Sequence, residues 1–101
     1  MSEVEPFMIS EERMNEIRRY FAAEEKDKSL FLFSDDKHQA TCEMAAIEGI
    51  RDAFLEQLEI IRDTTTGYVH DDAKSAINAI HRRYNELLTE YENGLQTVIL
   101  H

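Results

Sequence analysis

The sequence contains very few residues that cross-link or interrupt a fold. Its 101 residues include one cysteine, Cys42, one proline, three glycines and no tryptophan. A single thiol excludes an intramolecular disulfide, which is typical of proteins in a reducing compartment, so we expect a cytoplasmic location. Because proline and glycine are the main helix breakers, their scarcity favours long helices.

Basic residues and long apolar runs are also scarce. Eleven Lys and Arg stand against 21 Asp and Glu, which gives a net charge of −10 at pH 7. Solubility is the simplest explanation of this charge; the specific role it favours is binding of a protein partner with a basic patch, and not of nucleic acid or anionic lipid. No apolar stretch approaches about 18 residues, and the first residues lack the basic region and apolar core of a signal peptide. We therefore expect neither a membrane span nor a leader.

What the chain does contain is an almost unbroken helical pattern over residues 73–99. Apolar side chains recur there at steps of three or four, and at about 100° per residue they occupy a sector roughly 120° wide. The pattern predicts a long amphipathic helix with Asp71 or Asp72 as its N-cap. The stripe consists of Ala73, Ile77, Ile80, Tyr84, Leu87, Tyr91, Leu95 and Val98.

A second long helix is predicted over residues 35–63 and a shorter one over residues 11–26. Ser34 and Ser10 are the candidate N-caps, because serine favours that position and acidic residues follow both of them. Gly67 is the predicted stop of the second helix. The apolar face of the second helix comprises Ala40, Met44, Ile47, Ile50, Phe54, Leu58 and Ile61.

These elements predict an all-α fold, an antiparallel helical hairpin of two long helices plus a shorter N-terminal helix in a three-helix bundle. Residues 1–8 are predicted to be a flexible arm and residues 9–101 a single helical domain. Residues 29–33 form either a short strand, which could pair with residues 96–100, or a buried connector. The stripes hold more large residues than a short third helix covers, so we expect a homodimer or another homo-oligomer.

The most organised charge pattern lies on the second helix. Five carboxylates, which we call the acidic ridge, fall within about 80° of one another and roughly opposite the apolar face. The simplest interpretation is the solvated back of an amphipathic helix; the functional one is a surface that receives a basic partner or imitates a row of phosphates. Arg51 and Arg62 lie beside these acids and weaken the mimicry. The acidic ridge consists of Glu48, Asp52, Glu56, Glu59 and Asp63.

No motif indicates catalysis, a metal or a cofactor. The chain has no glycine-rich phosphate loop, no nucleophile elbow and no Glu-x-x-His pair, so we predict a protein that is not an enzyme and has no cofactor. The remaining metal hypothesis uses His38, Glu43 and His81. Glu43 projects into the apolar sector, and we expect its carboxylate to reach water from there. Cys42 is interpreted as a small packing residue, and Gly49 as a point of close helix approach.

The sequence therefore favours a small acidic protein-binding regulator, inhibitor or adaptor that acts through the acidic ridge. The alternative is a nucleic-acid-mimicking inhibitor of a DNA- or RNA-binding protein, of the type found in phages and mobile elements. A metal-binding helical bundle is the least favoured hypothesis.

Overall fold

The structure, a computed structural model, describes residues 9–27 and 31–100, and within these ranges it contains helices and no strand. Helix α1 spans Glu11–Ala22, α2 spans Lys37–Thr64 and α3 spans Gly67–Leu100, with a short 3-10 turn at Glu25–Asp27. The all-α prediction is confirmed. The predicted flexible arm, residues 1–8, lies outside the described residues. No helix in the described ranges is both long and apolar enough to cross a membrane.

Helices α2 and α3 form the predicted antiparallel hairpin. Three contacts define its register. From one contact to the next, the residue number rises along α3 and falls along α2, as antiparallel packing requires. His70 Nδ1 lies 2.7 Å from the carbonyl oxygen of Arg62, Tyr84 Oη lies 3.4 Å from Glu48 Oε2, and the hydroxyls of Tyr91 and Thr41 are 3.1 Å apart. The hairpin therefore keeps one register from its tip to its open end.

The core confirms most of the predicted apolar stripes. Ile17 and Phe21 of α1 meet Ile47 of α2 and Leu87 of α3, and these four are the largest fully buried side chains. Met44, Ile50, Ile77 and Ile80 extend the buried set along the hairpin.

Helix α1 covers only one half of the hairpin. Its 12 residues reach about 18 Å, whereas the 28 residues of α2 reach about 42 Å. Four large apolar residues at the hairpin tip are exposed: Ile60 by 58%, Ile61 by 40%, Tyr68 by 89% and Val69 by 53%. Ile61 belongs to the predicted apolar face of α2, but it is not covered because α1 does not reach it.

Three helix ends differ from the prediction: the end of α1 and the starts of α2 and α3. Helix α1 stops at Ala22, where Ala23 turns into extended backbone. Helix α2 begins at Lys37, and its N-cap is Asp36, whose side chain accepts a hydrogen bond from the Gln39 backbone N–H at 2.9 Å. Ser34 lies two residues before Asp36, and its side-chain hydroxyl accepts a hydrogen bond from the Asp36 backbone N–H at 3.1 Å. The two side chains thus form successive turns, and only the second of them caps the helix.

Helix α3 begins earlier than predicted. Only Thr65 and Thr66 separate it from α2, and Gly67 opens α3 with a φ of +70°. This left-handed conformation favours glycine. Gly67 therefore starts a helix where the sequence predicted that it would end one, and Asp71 and Asp72 lie inside α3 and do not cap it.

The segment that enters α2 is a connector held by its aromatic residues, whereas Leu32 within it is 68% exposed. Phe31 is buried, its ring 6.4 Å from Tyr20 and 5.2 Å from Phe33. The Phe33 ring in turn lies 5.6 Å from Tyr91. Residues 31–34 form no strand, and residues 96–100 belong to α3, so the predicted strand pairing is wrong for the described part of the segment. Residues 29 and 30 lie outside the described residues. Aromatic packing against α1 and α3 takes the place of strand hydrogen bonds.

Candidate functional site

The acidic ridge is fully displayed on the outside of α2. All five of its carboxylate residues are exposed. The ridge runs about 22 Å along the helix, with neighbouring acids about 5–6 Å apart. The opposite face of α2 packs on α3. The geometry gives a line of anionic groups along the outer face of one helix of the hairpin.

Two arginines neutralise parts of the ridge. Arg51 Nη2 lies 2.8 Å from Asp52 Oδ1, and Arg62 Nε lies 2.9 Å from Asp63 Oδ1. The hydrogen bond from Arg62 lowers the pKa of Asp63 and raises the pKa of Arg62. Both pairs join adjacent residues of α2, so they leave the ridge in place and reduce its charge at two points.

The middle of the ridge carries the uncompensated charge. Glu56 and Glu59 take part in no ion pair within the described part of the chain. Arg51 is held elsewhere, since its guanidinium lies 4.2 Å from the centre of the Tyr84 ring. Glu59 still acts on Arg62, and Glu48 on Arg51, because each carboxylate helps to raise the pKa of that arginine. The least compensated carboxylate of the ridge is therefore that of Glu56.

An open apolar groove runs beside the ridge, between α1 and α2. It has a volume of about 450 Å³. A second hollow of about 530 Å³ continues it toward the start of α2, and the two share Met14 and Ala46 in their linings. Sequence reasoning missed this groove, because it depends on where α1 crosses α2. The first hollow is lined by Met14, Arg18, Ala46, Gly49, Ile50, Ala53, Phe54 and Gln57.

Small residues keep the floor of the groove low. Ala45, Gly49 and Ala53 follow one another at every fourth position of α2, and all three are exposed. No atom lies within 4 Å of the point where a Cβ on Gly49 would stand. The predicted close approach of another helix at Gly49 is therefore not made by the described residues of this chain.

Glu43 is buried, which corrects the expectation that its carboxylate reaches water. It is only 3% exposed. One carboxylate oxygen accepts from Arg13 Nε at 2.9 Å, and the other accepts from the Ser34 backbone N–H at 2.9 Å. These donors replace the lost water. Arg13 also donates to the Leu32 carbonyl and stacks over the Phe31 ring. Although burial lowers the pKa of Arg13, the carboxylates of Glu43 and Glu16 outweigh that effect and raise it.

The three residues of the metal hypothesis are not brought together. His38 and His81 are exposed, whereas Glu43 is buried and bonded to α1 and the connector. The hairpin register places His81 level with Arg51, about 12 Å along the helix from Glu43. Among the described residues, no group of three or more His, Cys, Asp and Glu side chains is placed to hold a metal ion. Cys42 is buried, as its predicted packing role requires.

Helix α1 is also tied to α3 by polar contacts that the sequence did not reveal. Arg83 is buried, and its guanidinium donates to the Phe21 carbonyl at the end of α1. Tyr20 donates to Glu86 at 3.0 Å. A cation at a helix C-terminus is favourable because the last carbonyls have no intrahelical partner. These bonds and the Arg13–Glu43 pair fix the wall of the groove that α1 supplies.

Comparison of the chain with protein-family models, with curated protein sequences and with solved structures finds no significant match.

Proposed function

We propose that this chain is a small acidic binding protein, a regulator, inhibitor or adaptor, that captures a basic surface of a protein partner through the acidic ridge. The observation that supports this function is a row of five exposed carboxylates on a helix that packs against α3. With its net charge of −10, the chain attracts a cationic partner over several ångströms and speeds the encounter.

The middle of the ridge is the strongest part of this surface. Glu56 and Glu59 can accept bonds from incoming Lys or Arg without first breaking an ion pair in the described chain. At Asp52 and Asp63 an incoming cation must compete with Arg51 and Arg62, each within 3 Å of its carboxylate. The binding energy is therefore expected to concentrate at the two glutamates.

Charge reversal tests the function. The ridge variant Asp52→Lys/Glu56→Lys/Glu59→Lys should fail to capture from a host lysate, by affinity pull-down and mass spectrometry, the proteins that the unaltered chain captures. The control Glu12→Lys/Glu90→Lys/Glu92→Lys changes net charge equally at exposed positions outside the ridge and should still capture them. Circular dichroism should show equal helicity. Equal capture by both variants would remove the ridge as the binding surface.

Imitation of nucleic acid is a special case of the same surface. The carboxylate spacing of about 5–6 Å is close to the step between successive phosphates of one strand. The pairs Arg51–Asp52 and Arg62–Asp63 count against it, because they neutralise part of the row. If the partner is a DNA- or RNA-binding protein, its nucleic acid should compete with this chain for it; absence of competition would leave the plain protein-binding function.

Self-association stays a separate prediction. A homodimer would cover the exposed tip residues Ile60, Ile61, Tyr68 and Val69. Because each copy carries a charge of −10, such a dimer should strengthen as salt screens the repulsion, whereas binding of a basic partner should weaken. Light scattering at low and high salt separates the two behaviours.

A further inference from the structure

Resting on the proposed function above, we propose that the groove beside the acidic ridge receives a single amphipathic helix of the partner. This helix carries small and medium apolar side chains on one face and Lys or Arg along one flank. Its apolar face lies on the floor of the groove, and its basic flank lies against the ridge.

The shape of the groove fits a helix. The two hollows together run along α2 from Thr41 to Gln57, which is about 24 Å of helix and matches a partner helix of about 16 residues. Helices pack with their axes about 8 Å apart only where small residues meet. Gly49 and Ala53 provide such a floor, and no described residue fills the space above Gly49.

The lining supplies apolar contact on both sides of that floor. Met14 rises from α1, and Ile50 and Phe54 rise from the inner edge of α2. Phe54 is half-buried, and its ring packs against Phe21 of the core at 6.1 Å. Methionine adapts to partner side chains of different shape. A groove with one aromatic wall packed on the core and one adaptable wall suits an apolar helix face.

Charge selects which helix enters and how it is oriented. At about 100° per residue, Glu56 lies about 20° and Asp52 about 60° from Gly49 around α2, so the ridge forms one rim of the groove. On the α1 rim, Arg18 donates to Asn15 at 2.7 Å and lies 3.4 Å from Glu11. The α2 rim is therefore acidic, whereas the charge of Arg18 on the α1 rim is already paired within α1. A helix with cations along one flank can enter with its apolar face down and its cations on the acidic rim in only one rotation about its axis.

The same charge argues against a second copy of this chain in the groove. Two copies joined through this face would bring together two chains that each carry a net charge of −10. A basic helix gains attraction where a second copy meets repulsion.

The test fills the groove without touching a charge. The variant Gly49→Gln/Ala53→Gln adds two long polar side chains, and nothing lies within 4 Å of the new Cβ at position 49. The control Ser75→Gln alters an exposed position of α3 outside the groove. The probe is a synthetic peptide of about 16 residues with a Leu/Ala face and one Lys flank, the length following from the helical rise. A shuffled peptide of the same composition, without an apolar face, is the comparison.

Isothermal titration should show that the unaltered chain and Ser75→Gln bind the amphipathic peptide at least about tenfold more tightly than the shuffled one, which is about 1.4 kcal/mol. The groove variant should lose that preference and keep its affinity for polylysine, and the ridge variant should lose both. In NMR spectra the peptide should shift the Gly49 amide.

Unchanged preference in the groove variant, with polylysine binding still dependent on the ridge, would overturn the helix site and leave the proposed function standing. If the ridge variant bound polylysine as tightly as the unaltered chain does, the proposed function itself would be overturned. A free chain that is dimeric, and becomes monomeric in Gly49→Gln/Ala53→Gln, would assign the groove to a second copy and overturn the proposal.

Discussion

Arg13 of α1, which is partly exposed, forms an ion pair with the buried Glu43 of α2, and Arg13 Nε lies 2.9 Å from a carboxylate oxygen. The other oxygen of Glu43 accepts from the Ser34 N–H, so one carboxylate joins α1, the connector and α2. Removing one member of a buried pair leaves the other without its counter-charge, and this is costly. The pair therefore contributes, together with the buried Ile17 and Phe21, to holding α1 on the hairpin and to the shape of the groove.

Truncating the buried carboxylate should destabilise the fold. For Glu43→Ala we expect a loss of about 2–4 kcal/mol in the free energy of unfolding, somewhat below the full range for a buried pair because Arg13 is partly exposed. Glu43→Gln should cost less, since its amide oxygen can still accept from Ser34. Urea denaturation measures both. Glu16→Ala removes the exposed partner of Arg13 and should cost less than about 1 kcal/mol; an equal loss in Glu16→Ala and Glu43→Ala would contradict the special role of the buried group.

Core and tip residues of the same type should respond differently. Ile47 is fully buried, whereas Ile60 is 58% exposed at the hairpin tip. Ile47→Ala should lower the free energy of unfolding by about 2–5 kcal/mol, because it removes transfer energy and leaves a cavity. Ile60→Ala should change it by less than about 0.5 kcal/mol. Chemical denaturation of the two variants is the measurement, and a large loss from Ile60→Ala would mean that the tip is covered, for example in a homodimer.

The start of α2 makes a prediction about capping. Asp36→Ala should cost about 0.5–2 kcal/mol, because the Gln39 N–H at the helix start loses its acceptor. Asp35→Ala, at the neighbouring exposed position, should cost only a few tenths. Thermal unfolding followed by circular dichroism measures the difference. If Asp35→Ala were the more costly change, the helix would begin one residue earlier than the structure shows.

The pair at the outer end of the ridge predicts a pH effect. The hydrogen bond from Arg62 lowers the pKa of Asp63 in the folded chain. A carboxylate with a lowered folded pKa adds stability that is fully present above its unfolded pKa and is lost as pH falls through the folded value. NMR titration should place the Asp63 midpoint below the ordinary aspartate range, and Arg62→Gln should move it upward. If the titration midpoint of Asp63 were the same with and without Arg62→Gln, the pair would not persist in solution.

The parts of the structure that follow a local pattern were predictable. The apolar periodicity of residues 73–99 and 35–63 identified both long helices, and Ala40, Ile47, Ile77 and Leu87 are buried as expected. The exposure of the acidic ridge followed from the same periodicity, because a face opposite the core faces water. Such features depend on residues three or four positions apart, and a sequence shows them directly.

The remaining features depend on residues far apart in the chain. Glu43 was expected at the surface because its donor, Arg13, lies 30 positions away. The exposure of Ile61 and the groove above Gly49 follow from where α1 crosses the hairpin, which no local spacing fixes. Gly67 was assigned to the wrong helix end because a left-handed glycine suits the turn between two helices whichever helix it adjoins.

Because α1 spans less than half of α2, the two halves of the hairpin are supported differently. Three helices surround Ile47 and Leu87, whereas only α2 and α3 form the tip around Ile60 and Tyr68. Local opening of a fold is favoured where few buried apolar side chains hold it, so the tip is the part of the hairpin with the least support. The acidic ridge extends from the supported half, at Glu48, to the tip, at Asp63, and a partner bound along its whole length would therefore join the tip to the half that α1 covers.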